Sequence, residues 1–127
     1  MSAVMPDLKY TKDHEWVKVE GKLARIGITD HAQHELTEIV FVELPGADKH
    51  VATGEVIANV ESVKTVSEVF APIGGVVKES NGKLVDSPEL LNKDPYGGGW
   101  ITVIEVGDPS ELSGLMSADE YRKLLGE

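Results

Sequence analysis

One run constrains this chain more than any other: VESVKTVSEVF, residues 60–70, a valine-rich stretch with a single lysine near its middle, bounded by Gly54-Glu55 before it and Ala71-Pro72 after it. Val60, Val63, Val66 and Val69 recur every three residues, a spacing that suits a helical face. Composition points the other way. Val, Thr and Phe are stiff side chains that favour strands, and breakers on both sides suit a strand–turn–strand better than a short helix. With Val63-Lys64 in the turn, Ser62 faces Thr65, Val60 faces Ser67 and Ala58 faces Val69, and Lys64 stands at an exposed tip. No Asn-Gly or Asp-Gly dipeptide marks that turn. A lone exposed lysine is ordinarily only a solvated charge.

The rest of the chain reads as more short strands. Residues 16–20 alternate apolar with polar, Gly21-Lys22 turns the chain, and residues 23–28 return as the second arm of a first hairpin. Thr29 or Asp30 caps a helix predicted over residues 30–35. Residues 39–44 are nearly all apolar and end at Pro45-Gly46, which predicts a buried strand; residues 47–53 read as a loop. The central hairpin takes residues 55–63 and 65–70, a further strand begins over 75–79, and Asn81-Gly82 offers a tight turn. Ser87-Pro88-Glu89 predicts one helical turn over residues 88–91, residues 94–99 are irregular, and residues 100–106 form a last strand with Trp100 as a core anchor. Ser117 caps a final helix over residues 118–125; Glu120 completes a capping box, and Tyr121, Leu124 and Leu125 form the apolar side. Many short strands separated by glycine and proline predict an all-β sandwich or flattened barrel with peripheral helices.

At 127 residues the chain is expected to be a single domain, 1–127, burying about two-thirds of the surface its unfolded form exposes. It has no cysteine, so no disulfide framework and no protein thiol; any sulfur redox chemistry has to come from a cofactor. Its 22 acidic and 12 basic residues give a formal charge of −10, which repels nucleic acid and anionic membrane and favours basic partner surfaces. The first ten residues, MSAVMPDLKY, carry no import signal, and no apolar run approaches the length of a membrane span. A bacterial cytoplasmic protein is expected, with a mature mitochondrial chain as the other possibility.

The flanks of Lys64 change the meaning of that lysine. ESVKTVSE closely resembles the lipoylation site of the glycine cleavage system H protein family, and DHEW, GITDHAQ, IVFVELP, SPELLN, DPYGGGW and the C-terminal AxxY resemble the same family in the same order, so the likeness covers nearly the whole chain. The resemblance implies the barrel-sandwich hybrid of the lipoyl/biotinyl-domain type. It implies a carrier rather than an enzyme: lipoic acid in amide linkage on Lys64, carrying an aminomethyl group from glycine decarboxylase (P protein) to aminomethyltransferase (T protein), and electrons to dihydrolipoyl dehydrogenase (L protein). A lipoate-attaching enzyme has to read the surroundings of the lysine, which makes Glu61, Ser62, Val63 and Glu68 recognition residues. By resemblance Glu15 holds the cationic end of the loaded arm in a cleft, with Thr29, Asp30 and residues 32–36 as lining. A histidine of the family's helix is displaced here, where His34-Glu35 stand.

Other constellations carry less. His14, His31, His34 and His50 invite a metal site, but with no cysteine and no helical zinc motif they read as surface or capping residues. Gly97-Gly98-Gly99 lacks the lysine-serine of a phosphate loop and reads as a turn. Glu61 and Glu68 suit solvated hairpin flanks better than acid–base chemistry. Four other functional readings stand beside the carrier of glycine cleavage. A donor in lipoyl relay shares its chemistry. A biotin carrier usually has methionines beside its lysine, where Val63 and Thr65 stand here. A lipoyl domain of a 2-oxoacid dehydrogenase is usually shorter, with a flexible linker that this sequence does not show. An interaction module that is never acylated is the fourth.

Overall fold

The computed structural model describes residues 3–127. In chain order these form β1 (Lys9–Tyr10), β2 (Glu15–Glu20), β3 (Leu23–Ile28), α1 (Asp30–Leu36), β4 (Ile39–Glu43), β5 (His50–Val51), β6 (Val56–Ser62) and β7 (Val66–Phe70). There follow β8 (Gly75–Ser80), α2 (Lys83–Asp86), α3 (Leu90–Lys93), β9 (Thr102–Val106), a 3₁₀ stretch over Pro109–Gly114 and α4 (Ala118–Leu125). A six-stranded sheet, β1-β2-β3-β9-β8-β5, faces a three-stranded one, β4-β6-β7, and the two are not closed into a barrel. Every pairing is antiparallel.

Both sheets feed one core. Val17, Ala24, Ile26, Val77 and Ile104 from the larger sheet meet Val42, Ala58, Val60 and Val69 from the smaller. A second cluster of Val4, Leu8, Tyr10, Trp16, Ala118 and Tyr121 fastens the N-terminal segment and α4 to the outside of β2. Trp16 explains Gly27, its cross-strand partner: a Cβ there would lie 2.6 Å from the indole, so only glycine lets the ring lie flat on the strand. The indole N–H donates to Pro95 O at 2.9 Å.

The central hairpin has the predicted register, with Ala58 opposite Val69 and Val60 opposite Ser67. Its turn is built without Asn-Gly because Ser62 closes it. The Ser62 N–H donates to Thr65 O at 2.8 Å, and the Ser62 hydroxyl oxygen accepts from the N–H groups of Lys64 (3.2 Å) and Thr65 (3.1 Å). Neither Val63 nor Lys64 takes a positive φ, so the turn needs no glycine.

Several expectations are corrected. The 39–44 run is half buried rather than buried: the register shifts between Ile39 and Phe41, which leaves Val40 and Phe41 outside while Ile39 and Val42 face the core. The loop over residues 47–53 contains β5, whose His50 and Val51 pair with Val76 and Gly75. A Cβ on Gly75 would collide with Glu105 O, so glycine is what lets β8 approach β9 here. Asn81-Gly82 makes no hairpin turn; Gly82 has helical φ and opens α2, while the buried Asn81 side chain donates to the carbonyls of Gly98 and Trp100. The helical turn predicted over 88–91 begins two residues later, as α3. Trp100 is only partly buried, under the Arg25 guanidinium at 5.1 Å, and the anchor is Trp16. On α4 the capping box of Ser117 and Glu120 is complete, but Leu124 is exposed and the buried face belongs to Ala118 and Tyr121.

Candidate functional site

Lys64 projects from the β6–β7 tip and is exposed. Its ammonium donates to Glu35 O at 2.9 Å, a carbonyl in the last turn of α1. Glu35 is also part of the wall of a cleft of about 130 Å³ between α1, the start of β2 and the hairpin. The lysine amine therefore rests at the rim of a cavity. Ile28, Ala32, Leu36, Val60 and Val69 supply its apolar walls, and Asp13, Glu15, Glu35 and Glu68 are the acidic residues along it.

Glu15 is the buried member of that set, 2 % exposed. One carboxylate oxygen accepts from the Thr11 hydroxyl at 2.8 Å and the other from Phe70 N–H at 2.8 Å, with no cation among its hydrogen-bond partners. Burial pushes its pKa up to about 7, against the two hydrogen bonds that lower it; Asp13 raises it further. The carboxyl is thus poised to change charge near neutrality, and a cation brought beside it would favour the ionised form.

Of the other expected lining residues, Ala32, Glu35 and Leu36 are in the cleft wall, whereas Thr29 and Asp30 are not. Thr29 is fully buried and its hydroxyl caps α1 by accepting from Ala32 N–H at 3.2 Å, so Thr29 rather than Asp30 is the cap. The Asp30 carboxylate accepts from Ala3 N–H and from the Gln33 side chain, both at 2.9 Å, and ties the N-terminal segment to α1. His34 is exposed. Around the tip, Glu61, Val63 and Glu68 are exposed, while Ser62 is buried and its hydroxyl is spent inside the turn.

His14, read from the sequence as a surface or capping residue, is half-buried and lines the cleft with its backbone at φ 67°. Its Nδ1 lies 2.8 Å from the Tyr121 hydroxyl, which is 2.7 Å from the Thr29 hydroxyl. The Thr29 oxygen accepts from Ala32 N–H, and the one polarity that gives both hydroxyl protons an acceptor within this chain runs from Thr29 to Tyr121 and from Tyr121 to His14 Nδ1. That polarity leaves the imidazole proton on Nε2. Burial, then the neighbouring His31 ring at 4.6 Å, lowers the His14 pKa against the Asp13 and Glu35 carboxylates, which favours the uncharged ring. In ¹⁵N NMR at neutral pH, His14 should show a protonated Nε2 and a bare Nδ1, and Tyr121→Phe should mix the two tautomers. A protonated Nδ1 in the unsubstituted protein would contradict this polarity.

A two-sheet sandwich with a lysine on a hairpin tip beside an apolar-walled cleft is a fold of the lipoyl-domain-like class. The sequence model of the family described as Glycine cleavage H-protein matches residues 8–127, and the chain belongs to that family. It is 54% identical over 125 residues to the glycine cleavage system H protein of Staphylococcus haemolyticus, covering 98% of this chain and 99% of that one. The identity and both coverages are the same for the glycine cleavage system H protein of Staphylococcus saprophyticus. Among solved structures, the glycine cleavage system H protein from Mycobacterium marinum superposes with a TM-score of 0.87 at 38% identity, over 98% of this chain and 100% of that one. Membership implies a lipoyl-carrier role in glycine cleavage. No helix among the described residues is long and apolar enough to cross a membrane.

Proposed function

We propose that the chain, as one domain over residues 1–127, carries lipoic acid in amide linkage on Lys64 and shuttles an aminomethyl group from glycine decarboxylase to aminomethyltransferase, and electrons to dihydrolipoyl dehydrogenase, in the bacterial cytoplasm. The observation that carries this reading is the single lysine at the rim of a cleft with aliphatic walls and acidic groups. Those walls suit an acyl chain, and Glu15 suits a cationic amine at its end. When bound, the lipoyl group supplies a reversible disulfide able to take an aminomethyl group and two electrons.

The chain's own residues do the rest. Ser62 fixes the turn from which the arm starts. Ile28, Leu36, Val60 and Val69 exclude water along one side of the cleft. Glu15, ionised once a cation lies beside it, holds the amine in a partly buried site where the contact is stronger than in water. Exposed Glu61, Val63 and Glu68, on a backbone shaped by Ser62, are the features a lipoate-attaching enzyme reads.

Reconstitution tests the reading. With glycine decarboxylase, the lipoylated protein should support exchange between glycine and bicarbonate, and the unlipoylated protein should not. Equal exchange with both would contradict it.

A further inference from the structure

A regular strand through Ile39-Val40-Phe41-Val42 would send alternate side chains to opposite faces. The bulge in β4 prevents that. Ile39 pairs with Ser62 and Phe41 with Glu61, so Ile39 and Val42 are both buried, while Val40 and Phe41 are both exposed, at 46% and 50%. Across the sheet the row continues from Phe41 through Glu61 to Val66, which is 60% exposed, and Val63 at the tip is 66% exposed. Four of the nine exposed large hydrophobic residues among the described residues thus gather at the Lys64 end of the small sheet.

The patch is held rigidly to the lysine, because Val63 N–H donates to Glu38 O at 3.0 Å and ties the tip to the segment entering β4. Its charge is one-sided. The three strands carry Glu43, Glu61 and Glu68 and no lysine or arginine, with exposed Glu38 just before β4; Lys64 is the sole cation of the hairpin. Scattered exposed valines need no explanation, but an apolar cluster made by a bulge, rimmed by carboxylates and abutting the turn that carries Lys64, has the form of an interface core with a charged rim.

We propose that the outer face of β4-β6-β7 is the docking surface of the enzyme that acylates Lys64, which presents an apolar socket for Phe41 and Val66 and a ring of lysine or arginine side chains for Glu38, Glu61 and Glu68. The proposal rests on the reading of Lys64 as an acylated residue. The acylating enzyme is the fitting occupant because of reach. It must bring its active site within one lysine side chain of the tip, and so covers this face, whereas an enzyme acting on the far end of the arm works from a distance. In the step itself the Lys64 ammonium leaves Glu35 O and loses a proton to solvent, the neutral amine attacks the carbonyl of an acyl adenylate or acyl thioester, and the amide C–N bond forms as the bond to AMP or to the thiolate breaks and the nitrogen gives up its second proton.

The test is acyl transfer to the full chain by a lipoate-attaching enzyme supplied with lipoate and ATP. Phe41→Ser combined with Val66→Ser should lower kcat/KM about tenfold or more through KM, as truncation of interface anchors does. Phe41→Leu should retain most of it, and Glu61→Lys should lower it by reversing the charge in the centre of the row. Thermal midpoints of the variants should stay near that of the unsubstituted protein, since all three side chains are exposed. Unchanged kcat/KM in both the double variant and Glu61→Lys would overturn the docking surface while leaving Lys64 as the acylated residue. A dimer of the unsubstituted protein that the double variant dissolves would also overturn it, by assigning the face to a second copy. No acylation of the unsubstituted protein would remove the functional reading along with it.

Discussion

Lys64→Arg should abolish glycine-cleavage activity completely while leaving the fold as stable as before. The tip contributes no packing, and arginine keeps the positive charge and a donor for Glu35 O, so the change in stability should be below about 0.5 kcal/mol. Arginine has no amine that an activated carboxyl can acylate at neutral pH, so no arm is installed. The measurement is glycine–bicarbonate exchange with glycine decarboxylase, beside urea unfolding of both proteins. Exchange activity surviving in fully substituted protein would remove Lys64 from the carrier role.

The second large effect belongs to Glu15. Its pKa near 7 in the folded protein stands above the ordinary 4.5, so the folded state binds a proton that the unfolded chain has already lost. The sign follows: between pH 4.5 and about 7 stability falls as pH rises, because ionising the buried carboxyl costs more in the fold than outside it. With 1.36 kcal/mol per pKa unit, the loss is of the order of 3 kcal/mol. Glu15→Gln cannot ionise, so its unfolding free energy should lack that decline, and urea titrations of both proteins from pH 5 to pH 8 show the difference. A parallel pH dependence in the two would contradict the buried, uncompensated carboxyl. Loading changes the balance. A cationic amine beside Glu15 draws the pKa down, so the loaded protein holds the carboxylate ionised, and Glu15→Gln should release formaldehyde faster from loaded protein while lipoylation stays normal. Equal release at matched pH would remove Glu15 from the arm's resting site.

Residues 55–70 were legible in detail because two independent signals agreed: strand-favouring composition and breakers at both ends fixed the hairpin, and its register followed from placing Val63-Lys64 in the turn. The capping box of α4 was equally legible, since its chemistry is local to Ser117 and Glu120. Reading from apolar content and period failed at β4, where an inserted residue turns two apolar neighbours outward and only the pairing partner reveals it. It also failed at β5, two residues long and without periodicity, and at Trp100, which stands before the strand it was assigned to. Gly27 opposite Trp16 was the available clue to the true anchor. Glu15 was singled out by resemblance, and it lines the cleft. Thr29 and Asp30 do not line this cavity, and a capping hydroxyl and a carboxylate bound to the N-terminal segment look the same in sequence as groups free to meet a ligand. His14 went unassigned because its partner, Tyr121, is 107 residues away.

The central claim is that this chain is charged with its cofactor at one lysine. Intact-mass measurement after incubation with a lipoate-attaching enzyme, lipoate and ATP, followed by peptide mapping, tests it most directly. The predicted result is a gain of one lipoyl group per chain, located on Lys64; no gain, or a lipoyl group on another lysine with Lys64 unmodified, would contradict it.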